Sequence, residues 1–288
     1  MAGRWCVMAN EKQKNYWTNV AGKKWLAMGG AMEARFATIN ELLIDRAALK
    51  TGELVLDIGC GTGVTSVAAS RLVGPVGRVR GVDVAAPMLE AARSQALALG
   101  CENLDFVLTD AQTDDLGLSA QCLISRFGVM FFEDPVAAFI NLRRNSVPGA
   151  RMVFIAWAAL NKNPHWLEPF ELAKTLVGEG VVRPSHAPGP LAFDDADYVM
   201  SILVRAGWKR AGIEEKNIDL ICESYAREAR TACLMGPSGA LFEEKRADEA
   251  TLKKAEAMFL KRLPDYAAPL PDGRIRLPAT INIITAEA

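Results

Sequence analysis

Residues 54–63 read Leu-Val-Leu-Asp-Ile-Gly-Cys-Gly-Thr-Gly, and no other stretch of the chain restricts its fold as tightly. An apolar run ends at a carboxylate, and the backbone then passes through glycines at three alternate positions. The run predicts a buried strand, and the glycines predict a loop bare enough for a ligand to lie on the main chain. Residues 64–72 continue as a helix that Gly74-Pro75 stops. Strand, glycine loop and helix make the first half of a nucleotide-type binding unit.

The general fingerprint of such units is Gly-x-Gly-x-x-Gly, read as dinucleotide binding. Here the loop is Gly59-x-Gly61-x-Gly63, one residue tighter, with Asp57 two positions before the first glycine. A pyrophosphate settles at a helix N-terminus because the dipole and free N–H groups attract negative charge. A carboxylate beside that point opposes it. The expected ligand therefore has a cationic or amine-bearing end, and S-adenosylmethionine has both a sulfonium and an α-ammonium.

On these residues the chain resembles class I S-adenosylmethionine-dependent methyltransferases, in particular the ubiquinone/menaquinone-biosynthesis-like group acting on small molecules. The resemblance covers residues 54–157 through specific motifs. It implies an α/β, Rossmann-like sheet of seven strands, mostly parallel with one antiparallel strand near an edge, and helices on both faces.

Later signals fall where that fold needs them. Residues 78–83 form a second short strand ending in Asp83, twenty residues after Gly63. An acid at that spacing can accept hydrogen bonds from ribose hydroxyls. Residues 87–99 read as a helix, and 104–108 as a third strand running into Thr109-Asp110-Ala111-Gln112. A fourth strand, 122–127, ends in Ser125-Arg126-Phe127-Gly128, and a fifth spans 151–157. A lone acid after a strand is ordinarily a cap or turn former. Three acids at successive strand ends, Asp57, Asp83 and Asp110, mark the carboxyl edge where open α/β sheets bind ligands.

The resemblance implies cofactor contacts from Asp57, Gly59, Cys60, Gly61, Thr62 and Gly63 in the first loop. It adds Asp83, Val84 and Met88 after the second strand, then Asp110, Ala111 and Gln112 after the third. In proteins similar to this one, the acid corresponding to Asp110 binds the adenine amino group. Ser125 and Arg126 are implied at the mouth between cofactor and substrate. One departure is that Gln121 and Cys122 stand where the family usually has an aromatic residue and an Asp.

The flanks must supply the acceptor pocket. Trp25, Met28, Met32, Phe36, Ile39 and Leu43 recur at helical steps, which is first of all a packing stripe. The sharper reading is a lid over 1–48 in which Tyr16, Trp17 and Trp25 cover the reacting groups. The core then occupies 49–157, a Pro-, Trp- and His-rich cap 158–193, and the rest of the sheet with inserted helices 194–288. Within the last part, a helix at 195–206, strands at 213–222 and 279–285, and two helical stretches in 225–263 are expected. Pro278 is expected to mark where the final strand begins.

Only two histidines occur, His165 and His186, both in the cap. An ordinary imidazole pKa suits a base there, and Arg126 suits orientation of an acidic or carbonyl-bearing acceptor. Phe127, Trp157 and Trp166 complete the candidate acceptor contacts. Each has a plainer role in packing or a salt bridge.

Charge and composition narrow the partners. With 33 basic and 34 acidic residues the net charge is −1, which offers no field for nucleic acid or an anionic membrane. No apolar leader precedes Glu11, and no apolar run is long enough to span a bilayer. Six cysteines without metal-like spacing fit free thiols in a reducing, cytoplasmic compartment, with no metal. Cys60 reads as a small residue that fits its loop. Apolar helices in the caps could pair two copies as a homodimer.

The expected activity is transfer of a methyl group to an oxygen or carbon of a small, largely apolar molecule. Alternatives are a non-methylating use of the same cofactor, in cyclisation or elimination, and a nicotinamide-dependent oxidoreductase. Asp57 and the tight loop disfavour the last.

Overall fold

A computed structural model describes residues 10–288. The expectation of no leader segment falls on residues 1–9, outside the described residues, and the lid expected over 1–48 is described from Asn10 onward.

The apolar runs become β1 (Leu54–Ile58), β2 (Arg78–Asp83), β3 (Leu104–Leu108), β4 (Ala120–Arg126) and β5 (Ser146–Trp157). They pair in parallel, with β6 (Lys209–Cys222) and β8 (Ile275–Glu287) completing the order β3-β2-β1-β4-β5-β8-β6. Strand β8 runs antiparallel to both neighbours. This is the expected seven-stranded sheet, to which a two-residue strand, β7 (Ala268–Pro269), adds an eighth beside β8. Val55 and Leu56 are fully buried, as strands covered on both faces require.

Helices α5 (Val64–Val73), α6 (Ala86–Ala98) and α7 (Pro135–Arg144) connect the parallel strands. The chain leaves β1 toward β2 and β3, then returns to place β4 and β5 on the other side. The order therefore reverses between β1 and β4, where crossovers diverge and a crevice opens at the strand ends.

Pro278 corrects an expectation, because it lies inside β8 opposite Asp219 of β6 rather than at the strand's start. Pairing with β7 ends at Arg276 and pairing with β5 begins at Ile281. In that gap β8 has no second neighbour, so a residue without an N–H is tolerated.

Four short helices precede the sheet: α1 (Glu11–Tyr16), α2 (Gly22–Met28), α3 (Gly30–Arg35) and α4 (Ala37–Ala47). A single π-turn, Trp17–Ala21, joins the first two. The apolar stripe packs as expected, with Met32, Phe36, Ile39 and Leu43 buried and Trp25 and Met28 half-buried against them. After β5, α8 (Pro164–Val177) starts at a proline in its first turn, where a missing N–H costs nothing. Asp195 caps α9 (Ala196–Arg205) by accepting from the Asp197 and Tyr198 N–H groups.

Between β6 and β7 the chain forms three helices, not the expected two: α10 (Tyr225–Leu234), α11 (Gly236–Glu244) and α12 (Glu249–Arg262). The Gly236-Pro237 pair interrupts what would otherwise read as one periodic stretch. Helix α8 packs on all three, so the cap and this later insertion form one helical layer.

Candidate active site

The glycine loop is held by acids before any ligand is considered. Asp83 accepts from the Gly61 and Ala85 N–H groups, each at 2.9 Å. Asp57, 1% exposed, accepts from the Ser66 hydroxyl of α5 at 2.6 Å and so ties β1 to the helix behind it. Burial pushes the Asp57 carboxyl up to about 7, against the pull of Ser66 and Arg126. Burial also raises Asp83, opposed by its backbone donors. At neutral pH, then, Asp57 is only partly ionised, and the charge selection expected of it is weaker than its sequence position suggests.

Gly59, Gly61 and Gly63 all have φ between +54° and +81°. At Gly59 a Cβ would stand 2.7 Å from the Gly128 Cα, because the ends of β1 and β4 touch there. Gly59→Ala is expected to destabilise the fold by about 1–3 kcal/mol from backbone strain alone, measured as the shift in a urea unfolding midpoint.

Asp57, Asp83 and Asp110 border one cavity of about 1200 Å³. That volume exceeds the roughly 300–1,000 Å³ of a site for one small ligand. Gly59, Cys60, Gly61, Thr62, Val84, Met88, Ala111 and Arg126 border it too. Gly63, Gln112 and Ser125 do not, and each has a different task. Gly63 precedes α5 against Phe106 and Ala92; Gln112 accepts from the Asp134 N–H; Ser125 donates to the Ile58 carbonyl. The Cys60 thiol is pushed well up by burial and by Asp83 and Asp57, which leaves it inert as a nucleophile. Among the described residues no group of three or more His, Cys, Asp or Glu side chains is arranged to hold a metal.

Two buried polar atoms mark where a polar ligand fits. Arg126 donates from one terminal nitrogen to Glu33 at 2.7 Å, while its Nη1 has no partner among the described residues. Asp110 Oδ1 accepts from the Gln112 N–H and from Asn10, whereas Oδ2 receives no hydrogen bond among them, with Lys14 Nζ 3.3 Å away. A guanidinium nitrogen without a partner suits a carboxylate, and a carboxylate oxygen held only by the Lys14 ion pair can still accept from an amino group. Glu33, which also receives the Thr62 hydroxyl at 3.3 Å, was not anticipated. Its segment reads as a packing helix, and nothing local announces a partner 93 residues away.

Part of the cavity lining is aromatic. Phe127 and Trp157 stack at 4.6 Å with an angle of 6°, Phe36 meets both edge-on, and Trp25 stacks on Phe36. Trp17 packs edge-on to Phe131 at 4.9 Å, and Tyr16, Trp166, His165 and His186 also border the space. His186 has φ +61° and stacks on Tyr198 at 3.7 Å, with Asp195 3.8 Å from its Nε2. Beneath His165 lies a buried ion pair unforeseen from the sequence: Arg35 donates to Glu228, with Cys222 Sγ as a further contact at 3.3 Å.

An open, mostly parallel sheet with a glycine loop at its reversal point defines an α/β protein that binds a nucleotide-like ligand at its strand ends. Residues 55–149 match the family model described as a methyltransferase domain. A ubiquinone/menaquinone biosynthesis C-methyltransferase UbiE from Hahella chejuensis is 34% identical over 175 residues, which is 57% of this chain and 70% of that protein. The chain belongs to the S-adenosylmethionine-dependent methyltransferase family. Aklanonic acid methyltransferase DauC from Streptomyces sp. (strain C5) is 34% identical over 120 residues, and the match spans 54% of DauC and 41% of this chain. The YcgJ protein of Bacillus subtilis shares the fold with a TM-score of 0.52 at 19% identity, over 86% of this chain and 97% of that one.

Proposed function

We propose that the protein transfers a methyl group from S-adenosylmethionine to an oxygen or carbon of a small, largely apolar acceptor. The observation that carries this reading is one cavity, large enough for two ligands, lined both by acid-tipped strands with a glycine loop and by a cluster of aromatic side chains.

When bound, S-adenosylmethionine supplies an electrophilic methyl group. The chain's own part is to bind, orient and exclude water. Asp83 and the Gly61 backbone face the ribose region, Asp110 takes the adenine amino group, and Arg126 Nη1 takes the amino-acid carboxylate. Phe127, Trp157 and Trp166 hold a flat acceptor and keep water from it. Orientation of this kind is worth roughly 7–11 kcal/mol in well-aligned reactions. Arg126 serves the cofactor in this reading, not the acceptor, and the acceptor contact falls to the cap. His186, stacked on Tyr198, closes the cap rather than reaching the acceptor.

Calorimetric titration with S-adenosylhomocysteine tests the cofactor half. Asp110→Ala is expected to weaken binding by about 10- to 100-fold, the worth of a hydrogen bond to a charged group. Undiminished affinity in that variant, or no binding to the unaltered protein at millimolar concentration, contradicts the reading. Accumulation of S-adenosylhomocysteine with a mass gain of one methyl in the acceptor tests the transfer. A cytoplasmic homodimer belongs to the same reading, and a monomer by sedimentation at micromolar concentration overturns its dimeric part.

A further inference from the structure

His165 is 2% exposed and borders the cavity, and beyond a weak contact with the Pro278 backbone neither ring nitrogen has a hydrogen-bond partner among the described residues. A buried polar group left without a full set of partners is costly, so its retention calls for an explanation. The ring packs against Trp157 and Trp166, at 5.4 and 5.2 Å, and those two rings lie 4.7 Å from each other. Burial and then the nearby Arg35 cation hold it well below the ordinary imidazole range, against a weaker pull from the Pro278 backbone, so it is neutral at physiological pH. A neutral imidazole presents one N–H donor and one lone-pair acceptor.

The surroundings decide which ligand group would satisfy it. Arg35 is already committed to Glu228, both of them buried, so the cation and the anion offset each other. That pair therefore offers a carboxylate acceptor no free positive charge and an ammonium no free negative charge. An uncharged hydroxyl fits, because it donates to the ring's lone pair without bringing charge into an apolar site. The neighbouring side chains are flat rings, which favour a planar skeleton.

We infer that His165 is the specificity-determining contact for the acceptor, receiving a hydrogen bond from a hydroxyl group on a flat aromatic or enolic molecule. The inference rests on the reading of the cavity as a joint cofactor and acceptor site. It adds the acceptor's polar group and the residue that reads it.

The test uses binding, not turnover. 2-Naphthol and its methyl ether, 2-methoxynaphthalene, share a skeleton and differ in the one donor. Calorimetry is expected to show 2-naphthol bound about 3- to 10-fold more tightly, the worth of one neutral hydrogen bond. His165→Phe should abolish that preference and leave the ether's affinity unchanged, while His165→Gln, which keeps an acceptor oxygen, should retain it. If the phenylalanine variant does not fold, His165→Met carries the same expectation. Equal affinity of the unaltered protein for the two probes, failure to bind either at millimolar concentration, or a preference that survives in the apolar variants would overturn the inference. S-adenosylhomocysteine is titrated in parallel. Its binding, unchanged in all variants, shows the cofactor reading standing while the His165 inference fails, and its absence identifies failure of the reading beneath.

Discussion

Arg35→Met is expected to lower the unfolding free energy by about 3–5 kcal/mol, the cost of leaving one member of a buried ion pair uncompensated. Arg35 and Glu228 are 7% and 4% exposed, and they join α3 to α10 across 193 residues of sequence. Removing the guanidinium strands the Glu228 carboxylate in an apolar setting and releases the Cys222 contact. The double variant Arg35→Met/Glu228→Leu should recover most of the loss, since replacing a buried pair with apolar groups of similar size is often neutral. Chemical denaturation of the two variants beside the parent decides it. A single variant that loses less than about 1 kcal/mol would show that the pair is solvated and not structural.

The second large effect is a pH dependence that Asp57→Asn should erase. The folded-state carboxyl of Asp57 sits at about 7, well above its ordinary 3.8, because burial disfavours the ionised form. A raised acid makes the folded state the better proton binder. Its contribution is therefore fully present below about pH 4 and is lost as pH rises through about 7. Each tenfold gain in proton affinity is worth about 1.4 kcal/mol, so the shift from 3.8 to about 7 amounts to a loss of roughly 4 kcal/mol by pH 8. Asparagine can still accept from Ser66 but does not titrate. The difference in unfolding free energy between parent and variant should thus change with pH between 4 and 8, whatever its offset. A constant difference across that range would mean that Asp57 titrates normally.

The cofactor half was legible because its signals are local. A strand, three alternate glycines and a helix occupy twenty consecutive positions, and each acid follows its own strand directly. Even there, position was easier to read than role. Asp57 and Asp83 both border the cavity, yet Asp57 accepts from Ser66 of α5 and Asp83 from the loop's own Gly61 N–H. The family resemblance implies contacts from Ser125 and Gln112; Ser125 donates to the Ile58 carbonyl and Gln112 accepts from the Asp134 N–H.

The acceptor half was legible only as aromatic content. Arg35 and Glu228 each stand in a mixed-sign helical segment of the kind that normally faces water, and only tertiary packing makes them a pair. Glu33 was hidden for the same reason. The third helix after β6 was missed because Gly236 sits within an otherwise regular apolar rhythm, where its left-handed φ of +68° breaks the path. Pro278 misled in the opposite direction. A missing N–H usually ends a strand, but whether it does depends on what lies alongside.

The family match covers residues 55–149, whereas His165, Trp166 and Glu228 all lie downstream of it and Arg35 upstream. On the proposed reading, much of what selects the acceptor can change without disturbing the segment that matches the methyltransferase family. Exchanging the helical layer of α8 and α10–α12 for that of a cousin is the change that would move the protein from one chemistry to another while its sheet stayed the same.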